Sequence, residues 1–489
     1  MQERKVDIAI IGAGSAGLAA YQAASEYTDA IVLIDSGPLG TTCARVGCMP
    51  SKLLIAAANA AHQARHAAPF GVRVDGSVRI DGQAVMARVH SERDYFVSSV
   101  FSSMAKIPDD AKLEGVARFQ DPHTLVIDDH TRVHAERIVI ATGSRPKIPH
   151  PFTIAEDRLV TSDTIFEWDK LPDSVAVFGP GTTGLELAQA LARLDVRVRL
   201  FGHSGGLGTL SDDKVRDEAA RIFNEEFYLD PNADAKIVAR EGDQVLVAFN
   251  DRENGEQRHE RFDYALIATG RQPNIDKLQL ENAGIRLDEQ GVPKFDRHTM
   301  CCYAADGELC HIFVAGDADQ DMPVLHEATD EGRIAGDNAA RFGDLHAGHR
   351  RSPLSIVFSD PQIVQIGLRY STLRQRYDNS GGFAIGEYSY RDQGRARIMD
   401  KRHGHVRLYG EYGSGLFLGA ELCASHGEHL GHLLAWAHQQ RLNVHEMLQM
   451  PFYHPTLEEG LRTALRDLSA KLLLDPALVE HCMECGPGA

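Results

Sequence analysis

The sequence predicts an α/β fold in which one strand–turn–helix unit is used twice, ahead of a C-terminal region of short strands and helices. Three observations predict it. The apolar run Val6-Asp7-Ile8-Ala9-Ile10-Ile11 leads into Gly12-Ala13-Gly14-Ser15-Ala16-Gly17 and then into an Ala-rich helical segment from Leu18 to Ala24. The same order recurs at Ser174-Val175-Ala176-Val177-Phe178, Gly179-Pro180-Gly181-Thr182-Thr183-Gly184 and Leu185 to Ala190. At 489 residues the chain is long enough for several domains, each burying its own core.

In the first unit the glycines permit a tight turn and let backbone N–H groups approach a pyrophosphate at the helix start. The next strand, Ala30 to Ile34, ends in Asp35, where an acid would hold a ribose hydroxyl. Gly12, Gly14, Gly17 and Asp35 are therefore candidate dinucleotide-binding residues. Gly179, Gly181 and Gly184 repeat the pattern. The strand that follows them, Val196 to Phe201, runs into Gly202-His203-Ser204. Neither an acid for a ribose hydroxyl nor an arginine fork for a 2′-phosphate stands there, so the second unit leaves NAD versus NADP open.

Between the two units lies Thr41-Thr42-Cys43-Ala44-Arg45-Val46-Gly47-Cys48-Met49-Pro50-Ser51-Lys52, at the entrance to an apolar helical run from Leu53 to Ala61. A thiol near a helix N-terminus sits in a positive field that favours thiolate. Two thiols within one loop and turn can close a small disulfide that opens and re-forms. Eight cysteines in so long a chain fit a reducing compartment with a few special thiols, and a cytoplasmic location is expected. Met1 to Lys5 lead straight into the first strand, so no signal or transit peptide is expected. A formal net charge of −18 argues against nucleic acid or an anionic membrane as partner. Hydrophobic and charged contents of 43% and 25% are ordinary for a globular chain.

Further motifs appear in order: Ala141-Thr142-Gly143-Ser144-Arg145-Pro146, Ala268-Thr269-Gly270-Arg271-Gln272-Pro273-Asn274, Phe313-Val314-Ala315-Gly316-Asp317, and His454-Pro455-Thr456-Leu457-Glu458-Glu459. With the Cys43 to Cys48 motif and both glycine turns, they make the chain resemble the class I pyridine nucleotide–disulfide oxidoreductases almost end to end. Within that family it is most similar to dihydrolipoyl dehydrogenases.

The resemblance implies two Rossmann-like domains, for FAD and NAD(P), plus a C-terminal α+β dimerisation domain. It divides the chain into 1–150 (first part of the FAD domain), 151–274 (NAD(P) domain), 275–347 (a segment completing the FAD domain) and 348–489 (dimerisation). FAD would be held by Gly12, Gly14, Gly17, Asp35, Thr142, Gly143 and Asp317. The nicotinamide cofactor, NAD with NADP still open, would be held by Gly179, Gly181, Gly184 and Gly270. Lys52, paired with Glu186, would lie near the flavin. Electrons would pass from dihydrolipoamide through the Cys43–Cys48 disulfide and FAD to NAD+. Cys43 would act as interchange thiol, and His454, oriented by Glu459, as acid/base. The implied partners are a second copy of the chain and a dithiol substrate, with the lipoyl domain of a 2-oxoacid dehydrogenase complex as its candidate carrier.

An NAD(P)H-dependent disulfide reductase of the glutathione or thioredoxin type, or a mercuric reductase-like enzyme, is the alternative reading. It gains from the tail pair Cys482 and Cys485, since some relatives use such a pair as an extra relay. No metal site is expected: His426, His429, His432 and His438 form no ligand pattern and read as a solvated helix face. Cys301, Cys302, Cys310 and Cys423 read as small apolar residues.

Overall fold

The computed structural model describes residues 1–377 and 381–474. The chain divides into two compact units.

The first comprises Met1–Pro50, Arg88–Lys147 and Gly270–Arg351. Its eight-stranded sheet is centred on Gln2–Ile11, which pairs in parallel with Ile31–Asp35 on one side and Thr131–Ile140 on the other. Leu309–Val314 extends the sheet in parallel beyond Thr131–Ile140. Strand alternation sorts the apolar residues onto two faces. Ile8, Ile10, Leu33 and Phe313 pack with Ala16 and Ala20 of the helix Ser15–Ala24. Ala9, Ile11, Val32, Ile34 and Ile138 build the opposite core with Phe119 and Leu125. A second helix, Leu325–Ala340, lies against Ser15–Ala24 at close range, because a Cβ at Gly332 or Gly336 would strike the carbonyl of Ala16 or Ala20. Small residues on both helices are what permit that approach.

The second unit comprises Ser51–Ala87, Ile148–Thr269 and Ser352–Ala489. It holds a five-stranded, all-parallel sheet in the order Tyr228–Asp230, Arg197–Phe201, Ser174–Phe178, Tyr264–Ile267, Leu159–Thr161. Ser174–Phe178 is buried at every position, as a central strand covered on both faces must be. A three-stranded antiparallel sheet, Lys236–Glu241, Gln244–Asn250 and Gln257–Phe262, follows. The C-terminal part is a five-stranded antiparallel sheet in the order Leu354–Val357, Gln362–Gly367, Phe417–Ala424, Gly404–Glu411, Phe383–Ser389. Helices Gly427–Gln439 and Glu459–Lys471 pack on it through Leu430, Leu434, Leu461, Leu465 and Leu468. The architecture is thus two nucleotide folds and a C-terminal antiparallel domain. Among the described residues no helix is long and apolar enough to cross a membrane.

One histidine departs from the sequence reading. His438 is not on a solvated face: it is half-buried, its Nδ1 lies 2.7 Å from Ser352 Oγ, and burial lowers its pKa.

Candidate active site

The loop that carries Cys43 and Cys48 is built by local backbone geometry. Thr41 caps the short helix Thr42–Arg45, its Oγ1 accepting from the Ala44 N–H at 3.2 Å. Gly47 brings the chain back against Cys43: a Cβ there would lie 3.1 Å from the Thr42 carbonyl and 3.3 Å from Cys43 Cα, a tight fit that a side chain could meet only if the turn shifted. Cys48 is then the first residue of the long helix Cys48–Arg65, at the positive end of its dipole. Cys43 is half-buried and Cys48 exposed. The Arg45 guanidinium is held within the loop by the Pro38 carbonyl at 2.9 Å.

In the first nucleotide fold, Gly12 has φ +109° and its Cβ would strike the Ala141 carbonyl, while a Cβ at Gly17 would strike the carbonyl of Gly12. Around the Cβ position of Gly14 there is no atom within 4 Å, so the start of the helix Ser15–Ala24 lies open. Asp35 closes this turn, its carboxylate accepting from Ala13 N and Gly37 N, each at 2.6 Å. Thr142 Oγ1 is buried and has no partner within the protein, and Gly143 beside it (φ +67°) borders open space. Asp317 Oδ2 accepts from Ser144 Oγ at 2.6 Å, and Arg271 Nε donates to that hydroxyl at 2.8 Å. An open anion-binding helix start, an acid at the strand end and an orphaned buried hydroxyl fit FAD.

Two residues beyond Asp317 lies a pair the sequence did not reveal. Burial, with Glu331 alongside, pushes the Asp319 carboxyl up to about 8, and burial raises Glu331 as well, against the pull of Arg350. Glu331 also accepts the Gly316 N–H at 2.9 Å, tying the helix Leu325–Ala340 to the turn that carries Asp317. No motif signals this pair, because it forms only once the helix folds back on the turn.

In the second unit, Lys52 Nζ lies 2.8 Å from Glu186 Oε2. Glu186 is 3% exposed, and its other oxygen accepts the Phe358 N–H at 2.8 Å. The Phe358 ring also lies under the ammonium, 4.6 Å from Nζ. Phe358 was missed for a simple reason: it meets Glu186 from 172 positions away. At the C-terminal end, His454 Nδ1 lies 3.0 Å from Glu459 Oε1. Glu459 is buried at 3% exposure and takes a second hydrogen bond from Thr456 N at 3.0 Å. The Glu459 carboxylate beside Nδ1 favours the tautomer that carries its proton there, with Nε2 the acceptor of an exposed ring.

The second glycine turn repeats the first. Gly179 (φ +106°) and Gly184 have no room for a Cβ, whereas Gly181, at the start of the helix Thr182–Arg193, faces open space. Gly270 falls in the first unit and has φ +108°. Cys301, Cys302 and Cys423 are buried and Cys310 is half-buried, and burial raises all four thiol pKa values. Cys482 and Cys485 lie outside the described residues.

Residues 6–332 match the pyridine nucleotide–disulphide oxidoreductase family, and residues 354–465 match the dimerisation domain of the same family. A dihydrolipoyl dehydrogenase of Haloferax volcanii is 28% identical over 478 residues, covering 94% of this chain and 95% of its own. A mercuric reductase of Shigella flexneri is 30% identical over 472 residues, covering 94% and 80%. LpdA from Mycobacterium tuberculosis, a crystal structure, superposes with a TM-score of 0.77 at 24% identity, covering 95% of this chain and 99% of that one. The chain therefore belongs to the pyridine nucleotide–disulphide oxidoreductase family, flavoprotein oxidoreductases that use FAD and NAD(P).

Proposed function

We propose that the chain is a dithiol/disulfide oxidoreductase of the dihydrolipoyl dehydrogenase type, working as a homodimer. The observation that carries the reading is the His454–Glu459 pair, which presents one basic nitrogen of fixed tautomer on an exposed ring. Thiol exchange needs such a base, because the thiolate is the attacking species. One substrate sulfur, its proton taken by His454 Nε2, attacks Cys43 Sγ. The Cys43–Cys48 bond breaks and its electron pair leaves on Cys48. The second substrate sulfur then attacks the first, releasing the oxidised cyclic disulfide and leaving Cys43 and Cys48 reduced by two electrons. The chemistry FAD would supply is two-electron exchange between this thiol pair and a nicotinamide. Lys52, held by Glu186, would place positive charge near the flavin. By the family resemblance, His454 of one subunit serves the thiol pair of the other. A reducing, cytoplasmic setting suits reversible thiol chemistry.

A second reading, a disulfide or metal-ion reductase driven by reduced nucleotide, is favoured by the Shigella flexneri relative named mercuric reductase and by the missing acid after Phe201. Steady-state assays with dihydrolipoamide, glutathione disulfide, thioredoxin and Hg(II), each with NAD and NADP forms, separate the two. Dihydrolipoamide as the best substrate is the expected result, and negligible turnover of it would sink the first reading.

A further inference from the structure

The duplicated nucleotide fold allows one copy to be read against the other. In the first copy Ile11 pairs with Ile34, the Gly12 N–H donates to the Ile34 carbonyl at 2.7 Å, and the next residue is Asp35. In the second copy Phe178 pairs with Phe201, the Gly179 N–H donates to the Phe201 carbonyl at 2.8 Å, and the next residue is Gly202. The register places Gly202 where Asp35 stands and Pro180 where Ala13 stands.

These two changes interlock. A Cβ on Gly202 would lie 2.7 Å from Pro180 Cγ and 2.6 Å from the Pro231 carbonyl, so no side chain fits there. Pro180 has no N–H, so the donor that anchors Asp35 is also gone. The next residues are pinned in place. Gly202 N donates to the Asp230 carbonyl at 2.8 Å, Gly205 N to the Pro231 carbonyl at 2.9 Å, and Gly208 N to the Pro180 carbonyl at 2.7 Å. Asp230, which closes the neighbouring strand, turns Oδ1 to the Asn232 N–H at 2.9 Å. His203 and Ser204 stand exposed at the head of this loop.

An acid at the strand end does two things in such folds: it accepts a ribose 2′-hydroxyl, and it repels a 2′-phosphate. Here both effects are removed, and an imidazole and a hydroxyl stand one and two residues on. We propose that the second nucleotide site selects the 2′-phosphorylated dinucleotide, NADP(H), with His203 and Ser204 donating hydrogen bonds to the phosphate. This rests on the reading of Gly179, Gly181 and Gly184 as the nicotinamide-dinucleotide turn.

Calorimetric titration of the FAD-loaded enzyme with 2′,5′-ADP and with ADP tests it directly. The expected result is 2′,5′-ADP tighter than ADP by about tenfold, the worth of one charge-assisted hydrogen bond. His203→Ala and Ser204→Ala should each weaken 2′,5′-ADP several-fold and leave ADP within about twofold. ADP binding as tightly as 2′,5′-ADP, or tighter, overturns the proposal. So does a preference for 2′,5′-ADP that survives both substitutions. If neither compound nor either reduced dinucleotide binds, the assignment of this turn fails instead, and the selectivity falls with it.

Discussion

Lys52 and Glu186 depend on each other unequally. Glu186 is buried, while the Lys52 side chain keeps 34% of its exposure. Removing the lysine leaves a buried carboxylate with the Phe358 N–H alone, so Lys52→Met should cost about 1–3 kcal/mol in urea unfolding, below the full worth of a buried pair because one partner is partly solvated. Lys52→Met/Glu186→Gln should recover part of that loss. Asp319 makes a different demand. Its folded pKa, about 8, lies above the ordinary aspartate value, so the folded state binds the extra proton between about pH 4 and pH 8. Stability then falls as pH rises through that window, because the unfolded chain holds fewer protons there. Glu331, Asp321 and Arg350 are the charged groups around it. Asp319→Asn should flatten the decline, read as melting temperature against pH. An unchanged slope would place the proton elsewhere.

At the scale of elements, the glycine turns were legible in the sequence because everything that defines them is local. Strand, turn and helix are contiguous, and each glycine has a steric reason within a few residues. Gly184 shows how tight the fit is: its Cβ would strike the Gly179 carbonyl. Gly184→Ala should displace the helix Thr182–Arg193 from its turn. We expect loss of nucleotide binding with flavin absorbance per chain unchanged, since Gly12, Gly14 and Gly17 belong to the other compact unit. Flavin loss in step with nucleotide loss would contradict this. What the sequence hid was long-range. Phe358 under Lys52, Ser144 between Arg271 and Asp317, and Glu331 on Gly316 all join residues with no shared periodicity. His438 was misread for the same reason, since its cover comes from Ser352, 86 positions away.

The whole molecule sets a harder requirement. Cys43 and Cys48 belong to one compact unit and His454 and Glu459 to the other, and the proposed chemistry needs both sets. If the homodimer shares its sites, Cys48→Ser and His454→Ala homodimers are each inactive. A mixed dimer then carries both defects in one site and neither in the other. Random subunit exchange should restore up to about a quarter of wild-type activity, from half the molecules with one good site each. Heterodimers proven by mass spectrometry but without recovered turnover would refute sharing.

The Pro180–Gly202 contact also makes cofactor choice hard to reverse. Gly202→Asp alone drives a side chain into the proline ring and the Pro231 carbonyl. Pro180→Ala alone frees an N–H with nothing to accept it. The two together restore the N–H and the acid of the first copy, and the Pro231 carbonyl, 2.6 Å from the Cβ position of Gly202, must then also give way. A double-mutant cycle should therefore show strong epistasis: each single change weakens or leaves NADH binding, and the pair recovers binding that Gly202→Asp alone loses. A lineage moving between the two dinucleotides by single steps would have to cross a less fit intermediate, so this one contact acts as a ratchet on the choice.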